Sequence, residues 1–199
     1  MSSHHFVKEG QEPALFVVDP IADDHLMSIL EWSPLVIVTG KAMLKVASWG
    51  IRVDAIVLDA PAHNESVVND TVGHVGHAHV IDGSTGYPDS VLSYLRDKNQ
   101  YALQVLVQSA ERCFGDWEHA DDFQIALIDS SMKWSRIQDG HFEKWMPEGS
   151  TLFTHGEKLS VKPGGLNGNV VTAVAPGIIE VRSPGPFWLG EEHRYLNSK

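Results

Sequence analysis

The chain has 199 residues, of which 43% are hydrophobic and 21% charged, a balance typical of folded globular proteins rather than of disordered segments. Its formal net charge of -11 opposes nonspecific binding to nucleic acid and to anionic membrane surfaces. The single cysteine, Cys113, excludes an internal disulfide and fits a reducing compartment, and no apolar run reaches transmembrane length. We therefore expect a cytoplasmic protein with no nucleic-acid partner and no membrane partner.

The first sixty residues alternate between short apolar strands and helices. The run Leu35 to Val38 is continuous, apolar and rich in β-branched residues, which is typical of a strand buried on both faces. Apolar residues recur at helical spacing from Lys41 to Trp49, and Gly50 then fits a left-handed helix cap. This β-α-β-α-β order with short loops predicts a parallel, Rossmann-like α/β sheet. The strands are predicted at 14–18, 35–38 and 51–58, with one helix carrying Leu26 to Trp32 and the other at 41–49.

Two of these strands are followed by residues suited to ligand binding. Gly40, Lys41 and Ala42 open a helix directly after a strand, so we expect free backbone N–H groups and a positive dipole end facing an anion. Asp59 follows the third strand, and ligands of open parallel sheets collect beyond the carboxyl ends of the strands. A carboxylate there can hold a divalent cation against phosphates. Capping of the following loop is an equally weighted role for Asp59.

The remaining sequence changes character near residue 131. Before that point, a strand is predicted from His77 to Ile81, helical periodicity from Pro88 to Phe114, and a further strand from Phe123 to Ile128. After it, Gly- and Pro-containing turns separate short β segments, which is typical of hairpins or a small sandwich. The predicted organisation is an α/β domain at 1–132 and a β-rich, sandwich-like domain at 133–199. The short β segments lie at 151–154, 159–161, 170–174, 178–181 and 187–189.

Two clusters leave alternatives open. Zinc is conceivable at the spacing of His74, His77 and His79, but no cysteine or nearby HExxH motif accompanies them, and solvated loop histidines are the simpler interpretation. The tryptophans of the β-rich part either wall a flat aromatic ligand or, with greater weight, fill a small core. These tryptophans are Trp134, Trp145 and Trp188.

The segments VIVTGKA and GIRVDAIVLD, which together span residues 36–59, resemble the thiamine pyrophosphokinase family. In that family a strand ending in Asp-Gly-Gly and a helix precede the pattern G-I-x-P-D-x-I-x-G-D-x-D-S. The matching positions are Gly50, Ile51, Asp54, Ile56 and Asp59, with Gly40 matching one glycine of the earlier turn. The chain departs from the pattern at Thr39 for the first acid, Leu58 for the glycine, Pro61 for the second aspartate and Ala62 for the serine.

The resemblance implies transfer of diphosphate from ATP to thiamine, giving thiamine diphosphate and AMP, with Mg²⁺ and in a homodimer. It also implies that the domain at 1–132 binds the nucleotide and that the domain at 133–199 serves substrate binding and dimerisation. The missing acids keep open the alternative of a non-catalytic relative that binds a nucleotide or thiamine compound, or that serves as a structural dimer. By the family's landmarks, ATP would contact Gly40, Lys41, Lys98 and Gln100. Mg²⁺ would be bound by the catalytic Asp59 and by Asp89, with Asp82 in place of Asp89 as an alternative. Thiamine would lie near Ser183 and Trp188.

Overall fold

The computed structural model describes residues 12–20, 34–58, 78–84 and 86–192. In these ranges the fold is mostly sheet with few helices, and eleven of the fourteen strands belong to one large mixed sheet. None of the helices described has the length and apolarity needed to span a bilayer. The chain divides into two compact units, Met1–Ile125 and Ala126–Lys199, which are described separately below. The predicted domain boundary between residues 132 and 133 stays a prediction.

In the described part of the first unit, five strands follow one another in the order β5-β1-β2-β3-β4, and every neighbouring pair among them is parallel. All residues of β1, β2 and β3 are buried, which agrees with the continuous apolar runs seen in the sequence. The strands are β1 (Ala14–Val17), β2 (Val36–Thr39), β3 (Ala55–Leu58), β4 (His79–Asp82) and β5 (Ala102–Leu106). The helices are α1 (Met43–Ser48) and α2 (Tyr87–Asp97), with 3-10 turns at Ala110–Cys113 and Gly115–Trp117.

The helical prediction for Pro88 to Phe114 is correct only for its first part. Helix α2 ends at Asp97, and Asn99 then adopts a left-handed conformation with φ of 55°, which turns the chain out of the helix. The following residues form β5, which pairs with β1 in parallel from Leu103 to Leu106. Burial of β5 beside β1 outweighs the helical spacing of its apolar residues, so tertiary packing decides the structure here.

The second unit contains only antiparallel pairs among its described strands. Strands β11, β12, β9, β14 and β7 follow one another in the large sheet, and β10, β13 and β8 form a separate three-stranded sheet. A shared apolar core includes Leu152, Ile179, Val181 and Phe187. The strands are β6 (Gln124–Ile128), which crosses the boundary between the units, β7 (Met132–Ile137), β8 (His141–Met146), β9 (Thr151–His155), β10 (Ser160–Lys162), β11 (Leu166–Asn167), β12 (Val170–Thr172), β13 (Gly177–Arg182) and β14 (Phe187–Glu192).

Candidate functional site

The carboxyl ends of the five parallel strands share one edge of the sheet, here called the carboxyl edge. Asp19 follows β1, Gly40 and Lys41 follow β2, Gly83 follows β4, and Gln108 follows β5. Asp59 follows β3 in the sequence but lies outside the described residues. Because ligands of open parallel sheets bind beyond this edge, it is the candidate functional site of the first unit.

Two glycines flank the end of β3. The Gly40 amide donates to Val57 O at 3.1 Å, and the Gly83 amide donates to Leu58 O at 3.0 Å. A Cβ atom on Gly83 would lie 2.8 Å from Val57 Cγ1, so a side chain at that position would collide with β3. The two glycines therefore let the chain pack closely against the end of β3, where Val57 and Leu58 are buried.

The backbone amides of Gly40, Lys41 and Ala42 were expected to be free at the start of α1, but those of Gly40 and Ala42 are hydrogen-bonded. The Gly40 N–H continues the hydrogen bonding of β3, and the Ala42 N–H donates to Thr39 O at 3.1 Å. Helix α1 also has only six residues and begins at Met43, so its dipole is short. The prediction of free amides at Gly40 and Ala42 is wrong, because these groups are used by the sheet and by the turn.

Lys41 and Asp19 form the ion pair of the carboxyl edge. Lys41 Nζ lies 2.8 Å from Asp19 Oδ1, and the Gln108 amide donates to Asp19 Oδ2 at 2.9 Å. Burial raises the pKa of Asp19, but the hydrogen bonds from Lys41 and Gln108 together outweigh it and hold the pKa of Asp19 below its usual value. The Lys41 side chain remains 55% exposed and accessible to solvent.

Sequence reasoning did not identify Asp19 as part of this site. The available signal was its position directly after a buried strand, which is the same signal that drew attention to Asp59. The hydrogen bond from the Gln108 amide to Asp19 could not be predicted, because the residues of β5 that precede Gln108 were predicted to be helical.

Asp82 and Asp89 both line an open surface depression beside β4 and α2. Asp82 ends β4, and Asp89 lies in the first turn of α2. Hydrogen bonds from the Ser84 backbone amide and then from its side chain lower the pKa of Asp82, so this exposed carboxylate is ionised at neutral pH. Exposed carboxylate oxygens are the protein ligands that Mg²⁺ uses, so the residues of this depression fit the ion.

Lys98 and Gln100 lie at the opposite edge of the sheet, between the end of α2 and the start of β5. Lys98 Nζ lies 5.7 Å from the centre of the Tyr94 ring. Gln100 is buried, and its Nε2 donates to the backbone carbonyls of Glu12 and Ala102. These two residues are thus separated from Gly40 and Lys41, and their assignment to ATP stays a prediction.

Ser183 and Trp188 belong to the second unit, and both are engaged in its internal structure. The Ser183 hydroxyl donates to Glu157 O at 3.2 Å and accepts from the Gly185 amide at 3.3 Å. Trp188 is only 4% exposed and lies in β14 between β7 and β9. Their assignment to thiamine stays a prediction.

The remaining histidine and tryptophan candidates separate clearly. His79 stacks on Tyr94 with ring centres 5.2 Å apart, and His74 and His77 lie outside the described residues. Trp134 is 2% exposed and fills the core, whereas Trp145 is 61% exposed. The more heavily weighted interpretation of core tryptophans therefore holds for Trp134 and Trp188.

Comparison with solved structures identifies the same fold in thiamine pyrophosphokinases. The enzyme from Bacillus subtilis has a TM-score of 0.61 and 13% sequence identity, over 90% of this chain and 98% of that one. That from Geobacillus thermodenitrificans has a TM-score of 0.63 and 9% identity, over 90% and 97% of the two chains. That from Candida albicans has a TM-score of 0.62 and 9% identity, over 91% and 89%. The resemblance predicted from residues 36–59 is confirmed at the level of the fold.

Comparison by sequence gives no further relatives. No protein-family model matches the chain, and no curated protein matches it significantly.

Proposed function

We propose that this chain binds ATP with Mg²⁺ at the carboxyl edge and transfers diphosphate to thiamine, giving thiamine diphosphate and AMP. The observation that carries the proposal is the thiamine pyrophosphokinase-like fold over nine-tenths of the chain. We further propose that the chain is organised as a parallel-sheet nucleotide domain and a β-rich domain, and that it acts as a cytoplasmic homodimer.

The carboxyl edge offers the charges that this reaction requires. Transfer between phosphates depends on positioning and on neutralising the negative charge that spreads over the phosphate oxygens. Lys41, which follows Gly40 at the end of β2, would contact the phosphates, and Asp59, with Asp82 or Asp89, would hold Mg²⁺. The bound ion would supply further neutralisation of the phosphates. The net charge of -11 makes this local neutralisation more necessary.

A non-catalytic relative is the second candidate, and a specific observation favours it. The acid that begins the family's Asp-Gly-Gly turn is replaced by Thr39, whose hydroxyl donates to Val18 O at 2.7 Å inside the protein. Thr39 is only 1% exposed, so its side chain offers no ligand to a metal in solvent. The loss of this acid weakens the metal site and would favour binding over catalysis.

Incubation with ATP, Mg²⁺ and thiamine tests the catalytic proposal directly. We expect AMP and thiamine diphosphate to form in equal amounts, and Asp59→Asn to lower the rate by at least about a hundredfold, the usual loss when a major charge-stabilising group is removed. Glu148→Gln, an exposed acid of the second unit, is the matched control and should leave the rate unchanged. Absence of AMP above the protein-free blank would refute catalysis.

Thermal unfolding with ligand tests the second candidate when no AMP forms. ATP or thiamine diphosphate at a hundred times its dissociation constant stabilises a protein by about 2.7 kcal/mol, which for a chain of this length raises Tm by about 5–11 °C. A shift without turnover would support a binding protein. No shift with any of these compounds would leave only the structural role.

Substitution of two lysines that the family resemblance assigns to ATP tests which edge of the parallel sheet binds the nucleotide. Lys41→Met removes a positive charge from the carboxyl edge, whereas Lys98→Met removes one from the opposite edge. We expect Lys41→Met to weaken ATP binding and Lys98→Met to leave it unchanged, as measured by isothermal titration calorimetry. The reverse result would indicate that ATP binds at the edge of the sheet near Lys98 and not at the carboxyl edge.

A further inference from the structure

One imidazole and two carboxylates meet on a face of the β8–β13 ladder in the second unit. His141 and Glu143 lie two residues apart on β8, and Glu180 on β13 is in register with Glu143. Residues at these positions share one face of an antiparallel pair. Their ligand atoms all lie within 4.8 Å of one another, and no other group of three such residues in the described part of the chain is this compact.

The spacing of the three groups suits one metal ion. His141 Nε2 lies 3.2 Å from Glu143 Oε1 and 3.2 Å from Glu180 Oε1. Bonds of about 2.0–2.2 Å around tetrahedral zinc separate neighbouring ligand atoms by about 3.3–3.6 Å. An ion could therefore be bound with side-chain shifts of a few tenths of an ångström.

The environment of His141 Nε2 agrees with this spacing. This nitrogen is enclosed by protein atoms, and the two carboxylate oxygens that lie 3.2 Å away are not aligned with it as good hydrogen-bond acceptors. An enclosed polar atom without a hydrogen bond is costly, and such atoms are rare in folded proteins. A neutral imidazole presents a lone pair at one ring nitrogen, and coordination of a metal would satisfy it.

The charges of the cluster also favour a cation. Glu143 and Glu180 face each other across the ladder, and like charges at such positions are destabilising. The Arg182 guanidinium donates to Glu180, so one of the two facing acids already has a cationic partner. An ion between the two acids would reduce their mutual repulsion.

We propose that His141, Glu143 and Glu180 bind a divalent transition-metal ion of the zinc class, with water as a further ligand on the solvent side. An imidazole nitrogen in the set favours zinc-like ions over Mg²⁺ or Ca²⁺. The Glu143 side chain is 54% exposed, which leaves room for that water on the solvent side of the cluster. The ion joins β8 to β13, and the proposal does not depend on the nucleotide site of the first unit.

Zinc binding by the full-length protein tests this site. The protein is stripped with a chelator, dialysed, and titrated with zinc sulfate, and retained zinc is counted by elemental analysis. Because the chain has eleven histidines, the informative quantity is the difference between variants. We expect the wild type to bind one more zinc per chain than His141→Ala, whereas His119→Ala, which changes an exposed histidine of the first unit, should match the wild type.

Glu143→Gln separates loss of the metal from damage to the fold. In chelator its Tm should be no lower than that of the wild type, because the facing acids no longer repel each other. With zinc, the wild type should gain stability and the variant should not. Loss of a group behind a metal ligand already costs about 10–100-fold in affinity, so loss of this ligand should cost at least about tenfold. Equal zinc content and equal zinc-dependent Tm shifts in the wild type, His141→Ala and Glu143→Gln would refute the site.

Discussion

The turn that precedes β8 allows a test of close packing at one residue. Gly140 has φ of +69°, and its carbonyl accepts a hydrogen bond of 2.8 Å from the Ser183 amide, which follows β13. A Cβ atom at residue 140 would lie 2.4 Å from Ser183 O and 3.2 Å from Gly185 O. Gly140→Ala therefore combines an unfavourable backbone conformation with a collision against backbone atoms, which cannot rotate away as a side chain would.

Gly149→Ala isolates the conformational part of this cost. Gly149 lies in the same unit with φ of +78°, and a Cβ atom there would meet nothing within 4 Å. The left-handed conformation costs a non-glycine residue about 1–2 kcal/mol, and both variants share this cost. Both also lose unfolded-state entropy, which stabilises the folded protein by about 0.4–1 kcal/mol. The difference between the two variants therefore reports the collision alone.

We expect Gly140→Ala to be less stable than Gly149→Ala by about 1–3 kcal/mol, the usual cost of forcing extra atoms into a packed site. For a chain of 199 residues that unfolds in one transition, this corresponds to a Tm difference of about 2–12 °C, measured by calorimetry under identical conditions. Equal losses in the two variants would contradict the close approach of residue 140 to Ser183.

Three further changes test burial and charge. Trp188→Ala removes a buried side chain and should cost about 3–5 kcal/mol in urea unfolding, whereas Trp145→Ala should change stability by less than about 0.5 kcal/mol; similar losses would place both side chains in one environment. Gln100→Ala leaves the carbonyls of Glu12 and Ala102 without their donor and should cost about 1–3 kcal/mol with unchanged ATP affinity, while a loss of ATP affinity would support the sequence-based role of Gln100. The pKa of Asp19 is lowered from 3.8 in the folded protein, so its stabilising contribution is present above pH 3.8 and is lost as the pH falls through the lower folded value. The difference in stability between the wild type and Asp19→Asn should therefore be constant near neutral pH and shrink under acid, and a difference that instead shrinks between pH 6 and 8 would exclude Asp19 as its source.

Much of the parallel sheet could be predicted because buried strands carry continuous apolar runs. Strands β1, β2 and β3 were found in this way, and the helix between β2 and β3 was found from its periodicity and from Gly50, whose φ is +69°. Strand β5 was missed because its apolar residues also satisfy helical spacing. Only its place beside β1, about ninety residues earlier in the chain, favours the extended conformation.

The position of the candidate site could be predicted better than its chemistry. The βαβ pattern correctly placed Gly40 and Lys41 at the carboxyl end of a parallel strand, because this position follows from strand direction alone. The partner of Lys41 could not be found, since it depends on β1 and β2 being neighbours in the sheet. The cluster at residues 141, 143 and 180 likewise depends on the register of β8 with β13, which no local pattern specifies.

The ion pair at the carboxyl edge sets a condition on the proposed nucleotide site. Asp19 is ionised at neutral pH, so the positive charge of Lys41 is already compensated before any phosphate arrives. A phosphate that recruits Lys41 must draw it away from Asp19, which then keeps, among the described residues, the hydrogen bond from the Gln108 amide. The uncompensated carboxylate would also repel the incoming phosphates in a chain that carries a net charge of -11. Both effects weaken binding of the free nucleotide more than binding of its magnesium complex, because the metal offsets the phosphate charge near Asp19. The replacement of an expected acid by buried Thr39 therefore matters less for contact with the nucleotide than for holding the metal that makes this contact favourable.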